Sequence, residues 1–275
     1  MPEAINQDLA ASPYPSRASR PPAPVKAKRK VSIIRETVGV IGELLITIGI
    51  FLALFIVWQL WWTSFKLEGA VHSEIATFQE MFPSSPTTTE DSEYTDIQRT
   101  DDPPPVGDVP LDEIYALLHV PRWDYKVMPV AEGTTTYVLD NGWAGHYPET
   151  QQAGEIGNFA LAAHRRTYMN NFRRIDTLED GDPIVVETEE AYLVYEVYGR
   201  EIVDPSATRV VLPVPNEPGV VPTKRIMTMT TCHPEFGNSE RFIVWSEMKY
   251  WVPKSEGKPM VLDPRNPANA GQTGE

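Results

Sequence analysis

Between Leu44 and Trp62 the chain runs nineteen residues without a charge, and only Thr47 and Gln59 among them are polar. As a helix rising ~1.5 Å per residue, such a run covers about 28 Å, close to the ~30 Å hydrocarbon core of a bilayer. Trp58, Trp61 and Trp62 cluster at its far end, where amphipathic rings favour the headgroup layer. Lys26, Lys28, Arg29, Lys30 and Arg35 flank the near end, and a basic excess of this kind marks the cytoplasmic side. A cleaved leader would carry a shorter apolar stretch followed by small residues, whereas Trp61-Trp62 stands at that place. A buried core helix is the remaining alternative. The segment is read as a retained single-pass anchor over residues 38–65, with the N-terminus cytoplasmic and all that follows extracellular.

Charge divides along the same line. Residues 1–37 hold seven bases against three acids, a net of +4, and with six prolines before residue 25 they read as a disordered basic cytoplasmic tail. Residues 66–110 hold two bases against ten acids, a net of −8. Within that stretch Leu67, Val71, Ile75, Phe78 and Phe82 recur at helical spacing, giving one apolar stripe for the membrane surface, a partner or a transient stalk. The Pro/Thr and acidic stretch over 83–110 reads as an extended, self-repelling linker. The overall charge of −14 opposes nucleic-acid binding, since phosphates require a basic footprint.

A folded domain is expected over 111–261, followed by a flexible tail, 262–275. Leu111, Ile114, Tyr115, Leu117 and Leu118 suggest a short opening helix behind Pro110. Strands are then expected at Thr134–Leu139, Phe159–Ala163, Pro183–Thr188, Ala191–Val197, Thr208–Val214, Arg225–Cys232 and Arg241–Trp251. Many short strands with turn signals between them predict an all-β barrel or sandwich.

The chain has one cysteine, Cys232, so disulfides are excluded and the thiol is either apolar filler or a nucleophile. It ends the run Thr228-Met-Thr-Thr-Cys232, and Arg241 opens the returning strand after a polar loop. A hairpin joined this way sets the two side by side, where a guanidinium favours thiolate and steadies an oxyanion. Of the five histidines, His233 follows Cys232 directly and points to the other face, and His72, His119 and His146 lie in the stalk, the first helix and a loop. His164 ends an apolar strand, a rim position like that of Cys232, and is the candidate general acid/base. No Cys/His/Asp/Glu spacing suggests a metal site, and no cofactor is implied.

Leu161-Ala-Ala-His-Arg165, Thr230-Thr-Cys232 and Glu240-Arg-Phe-Ile-Val244, in that order, resemble the His, TLxTC and Arg signatures of sortases, and the surrounding text is similar to class E sortases of actinobacteria. Gly145-His-Tyr-Pro148, Gly154–Leu161 and Gly181–Val186 carry the same likeness, which covers roughly residues 111–252. Ala163 and Met229 depart from the family's usual Gly and Leu, and Arg166-Thr-Tyr168 from its Thr-Thr-Tyr-like stretch, but no reacting group is missing. The resemblance implies a closed sortase-like β-barrel of about eight strands with short helices, behind one transmembrane helix. It implies a cysteine transpeptidase that cuts an LAxTG- or LPxTG-like motif between Thr and Gly. Its partners would be secreted proteins with C-terminal sorting signals, the membrane, and an amine of a lipid II-type cell-wall precursor. Cys232 would be the nucleophile, His164 the acid/base and Arg241 the oxyanion partner, with Thr230, Thr231 and Tyr147 contacting substrate. Two other readings remain: another extracytoplasmic Cys-dependent peptidoglycan transpeptidase, which would need a Ser-His-Gly-Cys-like motif absent here, and a non-catalytic membrane-tethered β-domain.

Overall fold

The computed structural model describes residues 33–84 and 93–266. The basic tail to residue 32, the middle of the expected linker (85–92) and residues 267–275 lie outside the described residues, as do the side chains of Trp61 and Trp62. Helix α1, Ile33–Met81, contains one stretch, Arg35–Trp58, long and apolar enough to cross a membrane. The described residues up to Ala53 form one unit and those from Leu54 onward a second. The stripe that begins at Leu67 lies on the last turns of α1, with Phe82 just past its end and Val71 and Phe78 buried in the second unit.

The second unit is built on a closed eight-stranded barrel. Its strands in chain order are β2 (Ile114–Val120), β3 (Lys126–Glu132), β4 (Ala144–His146), β5 (Gly157–Ala162), β6 (Pro183–Glu187), β7 (Ala191–Val203), β8 (Arg225–His233) and β9 (Glu240–Pro253). Around the barrel the order is β2-β3-β4-β5-β8-β9-β7-β6, with β3–β4 and β5–β8 parallel and the other pairs antiparallel. Period-two alternation fills the interior: Met227 and Met229 of β8 join Phe159, Leu161, Leu193 and Val244 in the main core. Ile226, Ile243 and Trp245 point outward and are covered by Val203, the last residue of β7, and by the connection that follows it, chiefly Val210.

The expected hairpin over 183–197 is present as β6 and β7, with Ile184 opposite Tyr195. Three local expectations fail. Ile114–Val120 is a strand, not a helix: Ala116 to Val120 are all buried because both faces of β2 are covered, and a short unbroken apolar run cannot declare its period. Thr134–Leu139 is not a strand. Its threonines cap a helix, α2 (Thr136–Asp140), with Thr135 Oγ1 accepting from the Val138 amide and donating to Asp112. Thr208–Val214 is a 3₁₀ turn, Thr208–Val211, that tucks Val210 under Trp245 before Pro213 and Pro215 deny any ladder.

The described half of the expected linker, 93–110, is a strap on the barrel. Its β1 (Tyr94–Thr95) pairs in parallel with β10 (Lys258–Pro259), and Arg99 and Trp251 exchange backbone hydrogen bonds of 2.9 Å. Trp251 Nε1 donates to Asp101 O, Arg225 pairs with Asp102 at 2.5 Å, and Val106 rests on the core. Two of the acids that suggested self-repulsion, Asp102 and Glu93, thus find bases, Arg225 and Lys258. The expected tail is likewise anchored at its start, since Met260–Leu262 forms a 3₁₀ turn with Leu262 buried beside Tyr192 and Val252.

Candidate active site

Two parallel strands set the site. In the β5–β8 pair Ala162 stands opposite Thr230, the Ala163 amide donates to Thr230 O, and Thr231 Oγ1 donates to Ala163 O at 2.7 Å. Carried two residues further, this register brings His164 and Cys232 to neighbouring strand ends. On the other side of β8, Cys232 and Arg241 are direct cross-strand partners. Paired residues share a face, so the sulfur and the guanidinium emerge on the same side of the sheet. Cys232 is a free, partly exposed thiol.

His164 is held from two directions. Its Nε2–H donates to Asp140 Oδ1 at 2.9 Å, and the Tyr168 ring lies tilted over it with centroids 5.1 Å apart. The His164 side chain is 30% exposed and that of Asp140 41%, so both reach water at the rim. Arg241 Nη1 donates to Asn238 O and Glu240 O, which folds the guanidinium against its own loop. Arg241 also lines a groove of about 130 Å³ on the outer face of β8, together with Tyr147, Thr230, Val203 and Thr208.

Tyr147 and Thr230 meet there directly, hydroxyl to hydroxyl at 3.1 Å. Thr231 is not brought to the groove. It is 3% exposed, and its hydroxyl is spent bracing β5 against β8. His233 does point away from the thiol: its Nδ1 accepts from Arg165 Nη1 at 3.0 Å. Among the described residues no cluster of three or more His, Cys, Asp or Glu could hold a metal ion.

Two residues at the site escape sequence reading. Asp140 reads as the first letter of the turn Asp140-Asn-Gly142, and nothing in the order of residues says that its carboxylate turns to a histidine 24 positions on. Arg165 is buried at 4% exposure behind β8. It donates weakly to Cys232 O (3.4 Å), pairs with Asp176 at 3.0 Å and lies 5.7 Å from the centre of the Phe242 ring. A charged residue next to a candidate histidine was the one available signal for it.

The Sortase domain family matches residues 118–249, which spans the barrel from β2 to β9. Sortase SrtE1 of Streptomyces coelicolor is 37% identical over 254 residues, covering 90% of this chain and 64% of that protein, so the chain spans just under two thirds of this relative's length. Among solved structures, the SrtA sortase from Actinomyces oris is 46% identical with a TM-score of 0.59, covering 62% of this chain and 98% of that one. Sortase E1 from Streptomyces coelicolor, solved with a tripeptide in its active site, is 43% identical with a TM-score of 0.52, covering 55% and 97%. With a cysteine, a histidine and an arginine converging on one rim of a closed barrel, and with these relatives, the chain belongs to the sortase family, class E.

Proposed function

We propose that this protein is a membrane-anchored transpeptidase that cuts an LAxTG- or LPxTG-like sorting signal between Thr and Gly and joins the Thr carboxyl to an amine. The Cys232 thiolate adds to the Thr carbonyl carbon, and the new oxyanion is stabilised by the Arg241 guanidinium. The C–N bond then breaks as His164 delivers a proton to the departing glycine amine, which leaves a thioester on Cys232. An incoming amine adds to the thioester and gives a proton to His164. Collapse releases the thiolate and leaves a new amide, with the histidine protonated again as at the start. The natural acceptor in this reading is the amine of a lipid II-type cell-wall precursor. The donor is a secreted protein with a C-terminal sorting signal.

One observation carries the reading: Cys232 and Arg241 are cross-strand partners, and His164 follows two residues after the end of the next strand over. Tyr147 and Thr230, bonded in the groove beside Arg241, are the groups we assign to contact the residue at the motif's second position. The basic flank of Arg35–Trp58 supports an N-terminus on the cytoplasmic side and a barrel outside.

The test is direct. The full chain in detergent, given LAxTG and LPxTG peptides and a small amine, should yield the cleaved and the amine-linked peptide by mass spectrometry. A folded protein that yields neither with any variant would sink the proposal.

A further inference from the structure

Twenty-four positions of sequence separate Asp140 from His164, yet α2 ends at the histidine. Asp140 is the last residue of that helix, and its carboxylate takes the Nε2–H of His164 at 2.9 Å. The bond leaves Nδ1 as the nitrogen able to take or give a proton toward Cys232, because among the described residues the hydrogen bond to Asp140 is the only one the His164 ring makes. A carboxylate so placed fixes which nitrogen is free and favours the ring orientation that proton transfer needs.

A helix of five residues has no stability of its own. What fixes α2 is its packing. Val138 is fully buried in a small cluster with Ala131, Trp143 and Val71, and Ile75 and Leu139 close its edges. Val71 and Ile75 belong to α1, the helix that includes the apolar span. Trp143, buried just beyond α2, donates its indole Nε1–H to Glu74 of α1 at 2.6 Å. Burial draws the Glu74 carboxyl above the ordinary range, while the indole hydrogen bond opposes that rise.

The other support of the histidine leans on the same region. Tyr168, Met169 and Asn170 all have φ between 49° and 73°, a conformation unfavourable for each of them. The loop is held by Lys126 Nζ donating to Met169 O at 3.0 Å, and Asn171 donates to Gly142 O directly after α2. A side chain at Gly142 would collide with Met169, at 2.6 Å.

We propose that Asp140 is a positioning residue for His164, and that the last turns of α1 brace α2 so that Asp140 stays in place. The anchoring helix then does more than tether the barrel, because its outer turns order the acid/base. This rests on the transpeptidase reading for the role of His164, but the arrangement of the pair can be tested without turnover.

The experiment uses the full chain in detergent and two readouts: steady-state transpeptidation, and the ¹⁵N resonances of His164, assigned by their loss in His164→Ala. Wild type should show the single Nε2–H pattern. Asp140→Ala should lower kcat by about tenfold with KM nearly unchanged and should average the two tautomers, while Asp140→Asn, whose amide oxygen still accepts, recovers most of the loss. Glu74→Ala and Val71→Ser should shift both readouts the same way, by about threefold in kcat, and add little to Asp140→Ala because they act through it. Glu74 is partly exposed, so its variant should fold even where Val71→Ser does not. Wild-type kcat and an unchanged ¹⁵N pattern in Asp140→Ala overturn the role of Asp140. An effect of Asp140→Ala with no change in Glu74→Ala and Val71→Ser overturns the brace. If wild type forms no product at all, the sortase reading fails and the ¹⁵N pattern still decides the pairing.

Discussion

His164 and His119 each sit against a carboxylate, on opposite sides of the barrel, and they have opposite fates. At the rim, His164 and Asp140 are 30% and 41% exposed. On β2, His119 Nε2 lies 2.7 Å from Glu187 of β6, with side chains only 9% and 1% exposed. Glu187 is shared with Lys254 at 2.7 Å and with the Tyr192 hydroxyl, and Lys254 also donates to Phe82 O, just past the end of α1. Burial alone would raise the Glu187 carboxyl, but the His119 hydrogen bond and the Lys254 charge outweigh it and hold it at about 2. A third pair, His146 with Glu132, is also buried, and its second nitrogen reaches Gln151 O and Thr150 Oγ1. A histidine–carboxylate contact is thus no mark of catalysis by itself. What separates the rim pair is water access and a thiol on the next strand.

The largest expected effects break that comparison cleanly if it is wrong. Cys232→Ala and His164→Ala should reduce transpeptidation by at least about 10³-fold, with melting temperatures close to wild type. Lys254→Met should do the reverse. It leaves Glu187 charged and buried without its cation, at a cost of about 3–5 kcal/mol in a urea melt. The molecules that remain folded should turn over within twofold of wild type. Equal thermal losses in His164→Ala and Lys254→Met would erase the distinction between the two regions.

Acid sharpens it further. The folded Glu187 carboxyl titrates at about 2, below its ordinary 4.5, so its contribution is whole above pH 4.5 and fades as pH falls toward 2. At 1.36 kcal/mol per pH unit this is of order 3 kcal/mol. Urea melts at several pH values in that window should show the loss in wild type and in His164→Ala alike, and a smaller loss in Lys254→Met, where the His119 contribution remains and that of the lysine is gone. The smallest effect belongs to Tyr147→Phe. Losing the hydroxyl bonded to Thr230 should raise KM for the peptide about threefold and cost under about 1 kcal/mol of stability, read from initial rates and a thermal melt.

The strand ends were legible because they obey period two. Arg225–Cys232 and Arg241–Trp251 appear as β8 and β9 with the expected Cys232–Arg241 pairing. Leu111–Leu118 misled because a strand covered on both faces shows no alternation, and Thr134–Leu139 misled because threonine serves caps as well as strands. The strap over 93–110 was hidden for another reason: its acids meet Arg225 and Lys258, partners 123 and 165 residues away that no local pattern announces. Asp140 belongs to the same class, being a contact made by tertiary packing alone.

The pairing of Cys232 with Arg241 also says what this hairpin can tolerate. Their separation is set by the backbone ladder, which continues through Thr231–Phe242 and Thr230–Ile243. The connection from Pro234 to Ser239 could therefore be lengthened, shortened or exchanged for a foreign loop, provided the rungs beneath it keep step. A slip of a single rung would turn the sulfur to the interior and seat Thr231 in its place. Loop grafting at this hairpin is thus a route to new recognition surfaces beside the thiol, with two design constraints: conserved register, and a carbonyl in the place of Asn238 O to hold Arg241.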